Sequence, residues 1–245
     1  MKHSSRYTRS LDRNHCSVQR TNIPQQVDWR KFTTKVKNQK NCGSCWALVA
    51  SEQIETYWGR KEGGEGGVRE LSGEELLSCS VGSRGCGGGN TCRALYWLTM
   101  TQQPVVSETT YPYQGQPGTP CDLANKLQQS GGEGEGVRVK GVCGCHPIKG
   151  REHIMLQVLA QKGPLAVNVD ALSWHDYVGG VVQHHCTSTN MNHAVQIVGY
   201  NLQSPIPYYI VRNQWGGSFG EHGYMRIKYG SNVCGVAQQP SYVIV

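Results

Sequence analysis

Eleven cysteines in 245 residues constrain this chain more than any other feature. An odd number cannot all pair, so a disulfide framework leaves one thiol over, and a leftover thiol is a candidate for reactivity. Cysteine used this densely in a glycine-rich chain (31 Gly) points to an oxidising compartment. The competing use of cysteine is zinc. Cys42-Gly43-Ser44-Cys45 has knuckle spacing, but no second Cys-x-x-Cys or His pair follows at a zinc-site distance, so no metal is expected. Cys143 and Cys145 are separated only by Gly144 and are poor partners for each other.

The length suits one large domain or two closely packed lobes. A formal charge of +7 raises the question of nucleic acid. The basic residues are scattered, however, and the densest run, Lys31 to Lys40, lacks interleaved stacking aromatics, so a solvated face is the better reading. No stretch is apolar enough to span a membrane. Residues 1–22 lack hydrophobic periodicity and read as a flexible N-terminal tail, a propeptide remnant, ahead of a domain over 23–245. The tail has no apolar core of the kind a signal peptide needs. Set against the cysteine count, this predicts that part of the natural N-terminus lies outside the chain.

Periodicity divides the domain. Trp46, Ala50, Ile54 and Tyr57 recur at helical steps and predict a helix over 45–58 with one apolar face, stopped by Gly59. Ser72-Gly73-Glu74-Glu75 has capping-box form and should start a second helix. Helices are also expected over 91–100, burying Leu95 and Leu98, and from about Glu152 to Gln161, ended by Gly163-Pro164. Strand-like runs follow at 165–169, 193–200, 208–212 and 224–228. A helical first part and a β-rich second part make an α+β chain. Two similar segments, Glu62 to Arg69 and Gly132 to Arg138, read as surface loops without a functional account.

The chemistry concentrates at Gln39-Lys40-Asn41-Cys42-Gly43-Ser44-Cys45-Trp46. Cys45 opens the predicted helix, where the positive end of the dipole favours a thiolate, the nucleophilic form. A base is needed nearby. His193, about 150 residues downstream, begins a predicted strand. Asn213, in Arg212-Asn213-Gln214-Trp215, supplies an amide that can accept a hydrogen bond from the imidazole and fix its orientation.

Cys42-Gly43-Ser44-Cys45-Trp46 with a distant His and Asn resembles the papain family of cysteine peptidases, and the likeness runs over residues 23–245. The resemblance implies a papain-like two-lobed fold, a helical left lobe and a β-barrel-like right lobe with the active site in the cleft. It implies Cys45 as nucleophile, His193 as base and Asn213 as orienting group, with Gln39 as the oxyanion-hole side chain. Gly88 and Gly89 match the wall where an extended peptide pairs, Asn192 and Trp215 beside the base are expected with them to bind substrate, and Gln239 matches the floor of the second specificity pocket. Cys42–Cys86, Cys79–Cys121 and Cys186–Cys234 match the family's bridges, which leaves Cys16, Cys92, Cys143 and Cys145 unassigned. The expected activity is endopeptidase cleavage of protein and peptide substrates without a cofactor, by a monomer open to cystatin-type inhibitors, in the lysosome or outside the cell.

Bland readings stand beside these. His184-His185 could suggest an occluding loop, but in this family such a loop belongs to the helical lobe, so both read as surface residues. Trp46 reads as core, and Trp174 as core or primed-side lining. His153, His175 and His222 have no evident partner. Two departures stand out: Gln214 replaces the usual Ser, which is smaller, and Asn192 replaces an Asp found in many relatives. A papain fold without turnover, acting as a binding protein, is the rival. A disulfide-rich binding module is a more distant one, because it leaves Cys45, His193 and Asn213 unexplained.

Overall fold

A computed structural model describes residues 16–62, 68–131, 136–148 and 150–245. Helices α1 (Cys45–Glu62), α2 (Gly73–Cys79), α3 (Thr91–Thr101) and α4 (Leu123–Gln129) precede most of the strands, and α5 (His153–Gln161) lies between them. The strands are β1 (Gln26–Asp28), β2 (Gly141–Gly144), β3 (Leu165–Val169), β4 (Val181–Val182), β5 (His193–Asn201), β6 (Tyr208–Arg212), β7 (Tyr224–Lys228) and β8 (Ser241–Ile244). They join in the order β2-β8-β3-β5-β6-β7-β4, with β1 pairing β5 off that path.

Two apolar clusters make two lobes. One packs Trp46, Ala50 and Ile54 of α1 against Leu76, Leu95 and Leu98. The other fills the β lobe with Val167, Val195, Ile197, Tyr209, Val211 and Trp174. Strand β8 serves both, since Val243 belongs to the first cluster and Tyr242 to the second. Between them a small cluster of Val49, Ala166 and Ala194 supports Cys45 at the seam.

Helix α1 departs from its expected form. It runs through Gly59 to Glu62 and is buried nearly all round rather than on one face. Gly59 is a packing site, not a stop: a Cβ there would lie 2.7 Å from Val68. Because α1 is central, its polar residues are buried too, and buried polar groups need partners. Glu55 accepts from Thr34 Oγ1 at 2.7 Å and from the Leu71 N–H at 2.8 Å, and pairs with Lys37 Nζ at 2.7 Å. Gln53 donates to the carbonyls of Pro164 and Ser241. The seam between the lobes is therefore polar in part.

Helix α2 starts as its sequence implies, with Ser72 Oγ accepting from the Glu75 N–H at 2.9 Å. The reciprocal half of the box is absent: the Ser72 N–H goes to Val106 O, and Glu75 Oε2 accepts from the Val106 N–H at 2.8 Å. The short elements β1, β2, β4, β8 and α4 had no clear periodic signal. Residues 16–22, part of the expected tail, lie on the β lobe. Cys16 is bonded to Cys143, and Gln161 Nε2 donates to Gln19 O at 2.7 Å. Residues 63–67 and 132–135, the centres of the two glycine-rich repeats, lie outside the described residues.

Candidate active site

Five disulfides account for ten cysteines. Three are the pairs implied above, Cys42–Cys86, Cys79–Cys121 and Cys186–Cys234. The unassigned four form Cys16–Cys143 and Cys92–Cys145, so neighbours Cys143 and Cys145 part to opposite sides of β2 and staple the tail and α3. Cys45 is the free thiol.

Cys45 is the first residue of α1 and lines a cleft of about 620 Å³ together with Gln39, Gly88, Gly89, Asn192, His193 and Gln239. Cys42–Cys86 ties the loop before α1 to the opposite wall of the helical lobe, and the Gly43 N–H donates to Cys86 O at 3.0 Å. Ser44 Oγ meets Tyr113 Oη, which in turn donates to Gln39 O at 3.0 Å. These bonds fix the loop carrying Gln39 with respect to the nucleophile.

His193 is the first residue of β5 and faces Val169 of β3 in register. It is buried, and its Nε2 lies 2.7 Å from Asn213 Oδ1. Trp215 covers this bond, with its ring 5.2 Å from the imidazole and 6.4 Å from Trp174. Trp174 is buried edge-on to His193 and belongs to the core, not to the cleft surface. His175, which had no evident partner, stacks flat on the other side of Trp215 at 5.0 Å and 9°. The imidazole therefore sits in an aromatic box.

Burial pushes the His193 imidazole down to about 4, against the Asn213 hydrogen bond, which favours the charged form. Burial pushes the Cys45 thiol up, opposed by the backbone N–H groups of Ala194, Trp46 and Cys45 itself. Both shifts come from burial and run toward the neutral forms. A thiolate and an imidazolium formed in the same cleft each favour the other's charge.

Gln39 Nε2 donates to Cys42 O at 2.8 Å, which fixes its amide plane and leaves a second N–H on the same nitrogen for the cleft. Gly88 has φ of +104°, and nothing lies within 4 Å of the position its Cβ would occupy, so its backbone is open to a ligand. A Cβ on Gly89 would strike the Trp46 indole at 2.4 Å. Trp46 is buried as expected and backs this wall.

At the far end of the cleft three amides meet. Gln239 Oε1 accepts from Asn168 Nδ2 at 2.7 Å and from Asn90 Nδ2 at 3.1 Å. Sequence reasoning found Gln239 but neither Asn90 nor Asn168. The only signal at Asn90 was its N-cap position, which it does fill by accepting from the Arg93 N–H. Asn192 points away from the base: it accepts from the Ala171 N–H and donates to Asp170. Gln214 is fully buried, and Glu52 takes its side-chain N–H at 2.8 Å, so its bulk is accommodated by a polar partner. His184 and His185 are exposed in the segment after β4. Among the described residues no cluster of His, Cys, Asp or Glu could hold a metal ion.

The geometry joins a free thiol, an amide-held imidazole and a glycine wall in one cleft. Residues 23–244 match the profile of the papain family cysteine proteases. The chain belongs to that family. It is 38% identical to human cathepsin O over 243 residues, covering 98% of this chain and 72% of that protein. Cysteine proteinase A of Leishmania mexicana is 39% identical over 220 residues, covering 87% of this chain and 58% of that one. The solved structure of digestive procathepsin L 3 from the larval midgut of Tenebrio molitor superimposes with a TM-score of 0.82 at 29% identity, covering 94% of this chain and 73% of that one. The papain-like fold and a cysteine endopeptidase activity follow from membership of this family. Among the described residues no helix is long and apolar enough to cross a membrane.

Proposed function

We propose that Cys45, His193 and Asn213 carry out this activity, with Gln39 and the Cys45 N–H as the oxyanion hole. The observation that carries the reading is the 2.7 Å bond from His193 Nε2 to Asn213 Oδ1 beneath Trp215, in the cleft that holds the free thiol. It leaves Nδ1 of the ring for the thiol. Sγ of Cys45 attacks the peptide carbonyl as its proton passes to His193. The C–N bond breaks as His193 protonates the departing amine, leaving an acyl-enzyme. Water, losing a proton to His193, then attacks the thioester and releases the acid with the thiol restored. Oxyanion donors fixed in advance lower both tetrahedral barriers.

The substrate is an extended protein or peptide segment paired to Gly88 and Gly89 through its backbone. The second pocket ends in the Asn90, Asn168 and Gln239 amides, which offer no charge to pair with a basic side chain. Cystatin-type inhibitors, which block such clefts, are the expected partners, and the working unit is a monomer. Passage through an oxidising compartment, toward the lysosome or the outside of the cell, suits five disulfides.

Hydrolysis of fluorogenic peptides by the wild-type chain and by Cys45→Ala tests the reading. Turnover that Cys45→Ala abolishes supports it. Residual turnover in the variant, or none in a folded wild type, overturns it and favours a binding protein built on the same fold.

A further inference from the structure

We propose that Glu52 and Gln214 are a positioning pair that holds Gln39 and Asn213 in mutual register across the seam between the lobes. The inference rests on the catalytic reading above and concerns residues that reading leaves without a role.

The main chain of Gln214 touches both arms of the site. Its N–H donates to Asn213 Oδ1 at 2.9 Å, the same oxygen that holds His193. Its carbonyl accepts the Gln39 N–H at 2.8 Å. The flanking bridge between Asn38 and Trp215, with the Gly216 N–H on Lys37 O, extends this junction in both directions. A shift at Gln214 therefore moves the orienting amide and the oxyanion arm together.

What fixes Gln214 is its side chain, which turns away from the cleft into the seam and donates to Glu52 Oε2 at 2.8 Å. Glu52 lies on α1, the helix that begins with Cys45. The bond thus closes a loop of contacts from nucleophile helix to Glu52 to Gln214 and back to Gln39 and Asn213. A serine in place of Gln214 is too short to make this bond.

The pair is a poor device for stability alone. Glu52 and Gln214 are both fully buried; Gln214 Oε1 and Arg212 Nη1 find no hydrogen-bond partner among the protein atoms, and Glu52 Oε1 and Arg212 Nε meet as an ion pair at 3.5 Å, beyond good hydrogen-bond length. A half-satisfied buried network stabilises less than apolar packing and is best explained by specificity of arrangement. The charged groups facing Glu52 are Arg212 of β6, whose Nε is 3.5 Å from Oε1, Lys37 from the segment before α1, and Glu55 from its own helix. Burial pushes Glu52 up to about 7 against the pull of Arg212 and Lys37, so the strength of the Gln214 bond changes through neutral pH.

The test compares wild type with Glu52→Ala, Glu52→Gln, Gln214→Ser and the double variant Glu52→Ala/Gln214→Ser. It measures kcat and KM on one peptide across pH, and hydrogen exchange at the Gln39 N–H. We expect Glu52→Ala and Gln214→Ser each to lower kcat about tenfold with KM within about twofold, because displacement of a catalytic group acts on the transition state. The double variant should be no slower than Glu52→Ala, which has already lost the Gln214 bond together with the Arg212 ion pair. Glu52→Gln keeps an acceptor oxygen and should restore kcat while removing the inflection near neutral pH. Exchange at the Gln39 N–H should quicken about tenfold in the two broken variants. Should Glu52→Ala not fold, Gln214→Ser and Glu52→Gln carry the comparison. Unchanged kcat and unchanged exchange in Gln214→Ser, or effects that multiply in the double variant, overturn the proposal. A wild type without Cys45-dependent turnover overturns the catalytic reading instead, and the exchange rates then decide the pair independently.

Discussion

His193 Nε2 and Asn213 Oδ1 stand 2.7 Å apart under the Trp215 indole, and this contact decides what the site can do. The bond opposes the burial that pushes the imidazole down to about 4. Burial thus favours the neutral ring, the form that can accept a proton. Asn213→Ala should lower kcat on the order of a hundredfold, since the ring loses its orientation. It should also move the acid limb of the kcat/KM profile to lower pH, because the lost bond favoured the imidazolium. A pH–rate profile of the two proteins checks both.

In the proposed mechanism Gln39 offers its remaining N–H to the oxyanion. Gln39→Ala should reduce kcat about 10²- to 10³-fold. Alkylation of Cys45 by iodoacetamide passes through no oxyanion, so its rate should stay close to wild type. Equal losses in both measurements would place Gln39 in loop structure rather than in catalysis.

Burial pushes Glu75 up to about 7, opposed by the Val106 N–H and the Gln103 amide. A carboxyl whose pKa is raised on folding stabilises the fold fully below its unfolded value of 4.5 and loses that contribution as pH rises through about 7. The lost contribution is on the order of 3 kcal/mol. His193 acts in the opposite sense, its contribution being lost as pH falls from 6.5 through about 4. Thermal unfolding should therefore show greatest stability in the mildly acidic range. Glu75→Gln should lessen the alkaline fall, leaving the part due to Glu52, which burial also pushes up to about 7, and a Tm curve across pH 4 to 8 reads the effect.

Cys16–Cys143 closes the longest loop of the five disulfides, 127 residues. Its removal as Cys16→Ser/Cys143→Ser should cost about 2–4 kcal/mol of stability. Cys45 alkylation should persist at temperatures where the variant is folded, because neither Cys16 nor Cys143 lines the cleft. Denaturant unfolding with parallel labelling separates the two effects.

The Asn90, Asn168 and Gln239 amides meet in the cleft, at the proposed second pocket. Gln239→Val removes their shared acceptor and opens an apolar floor. The kcat/KM for peptides with leucine before the cleaved residue should rise about tenfold relative to those with glutamine there. An unchanged ratio in a peptide-library profile would remove Gln239 from specificity.

The parts of this protein readable in its sequence are those governed by local rules. The Ser72 cap, the strands at Leu165–Val169 and Tyr208–Arg212, and the helix from Thr91 each follow from a few adjacent residues. Helix α1 was legible as a helix but not as a central one: its apolar positions suggested one face, while Ser51, Glu52, Gln53 and Glu55 are buried through partners distant in sequence. For the same reason the sequence presented Gln214 as a misfit, since its partner Glu52 is far away along the chain. Pairing of Cys16 and Cys92 depends on where β2 runs, and four residues of β2 carry too little pattern to place it. The cleft was visible through Cys45, His193 and Gln239, whereas Asn90 and Asn168 are ordinary polar residues until the lobes meet.

The most direct measurement is labelling with an epoxysuccinyl inhibitor of cysteine peptidases at mildly acidic and neutral pH, followed by peptide mass spectrometry. Ten cysteines are held in disulfides, so a reactive thiol can be assigned without ambiguity. Rapid modification confined to Cys45 and abolished by His193→Ala is the result expected of a nucleophile activated by its base. A folded protein whose Cys45 stays unmodified, or reacts equally well without His193, would contradict the catalytic assignment.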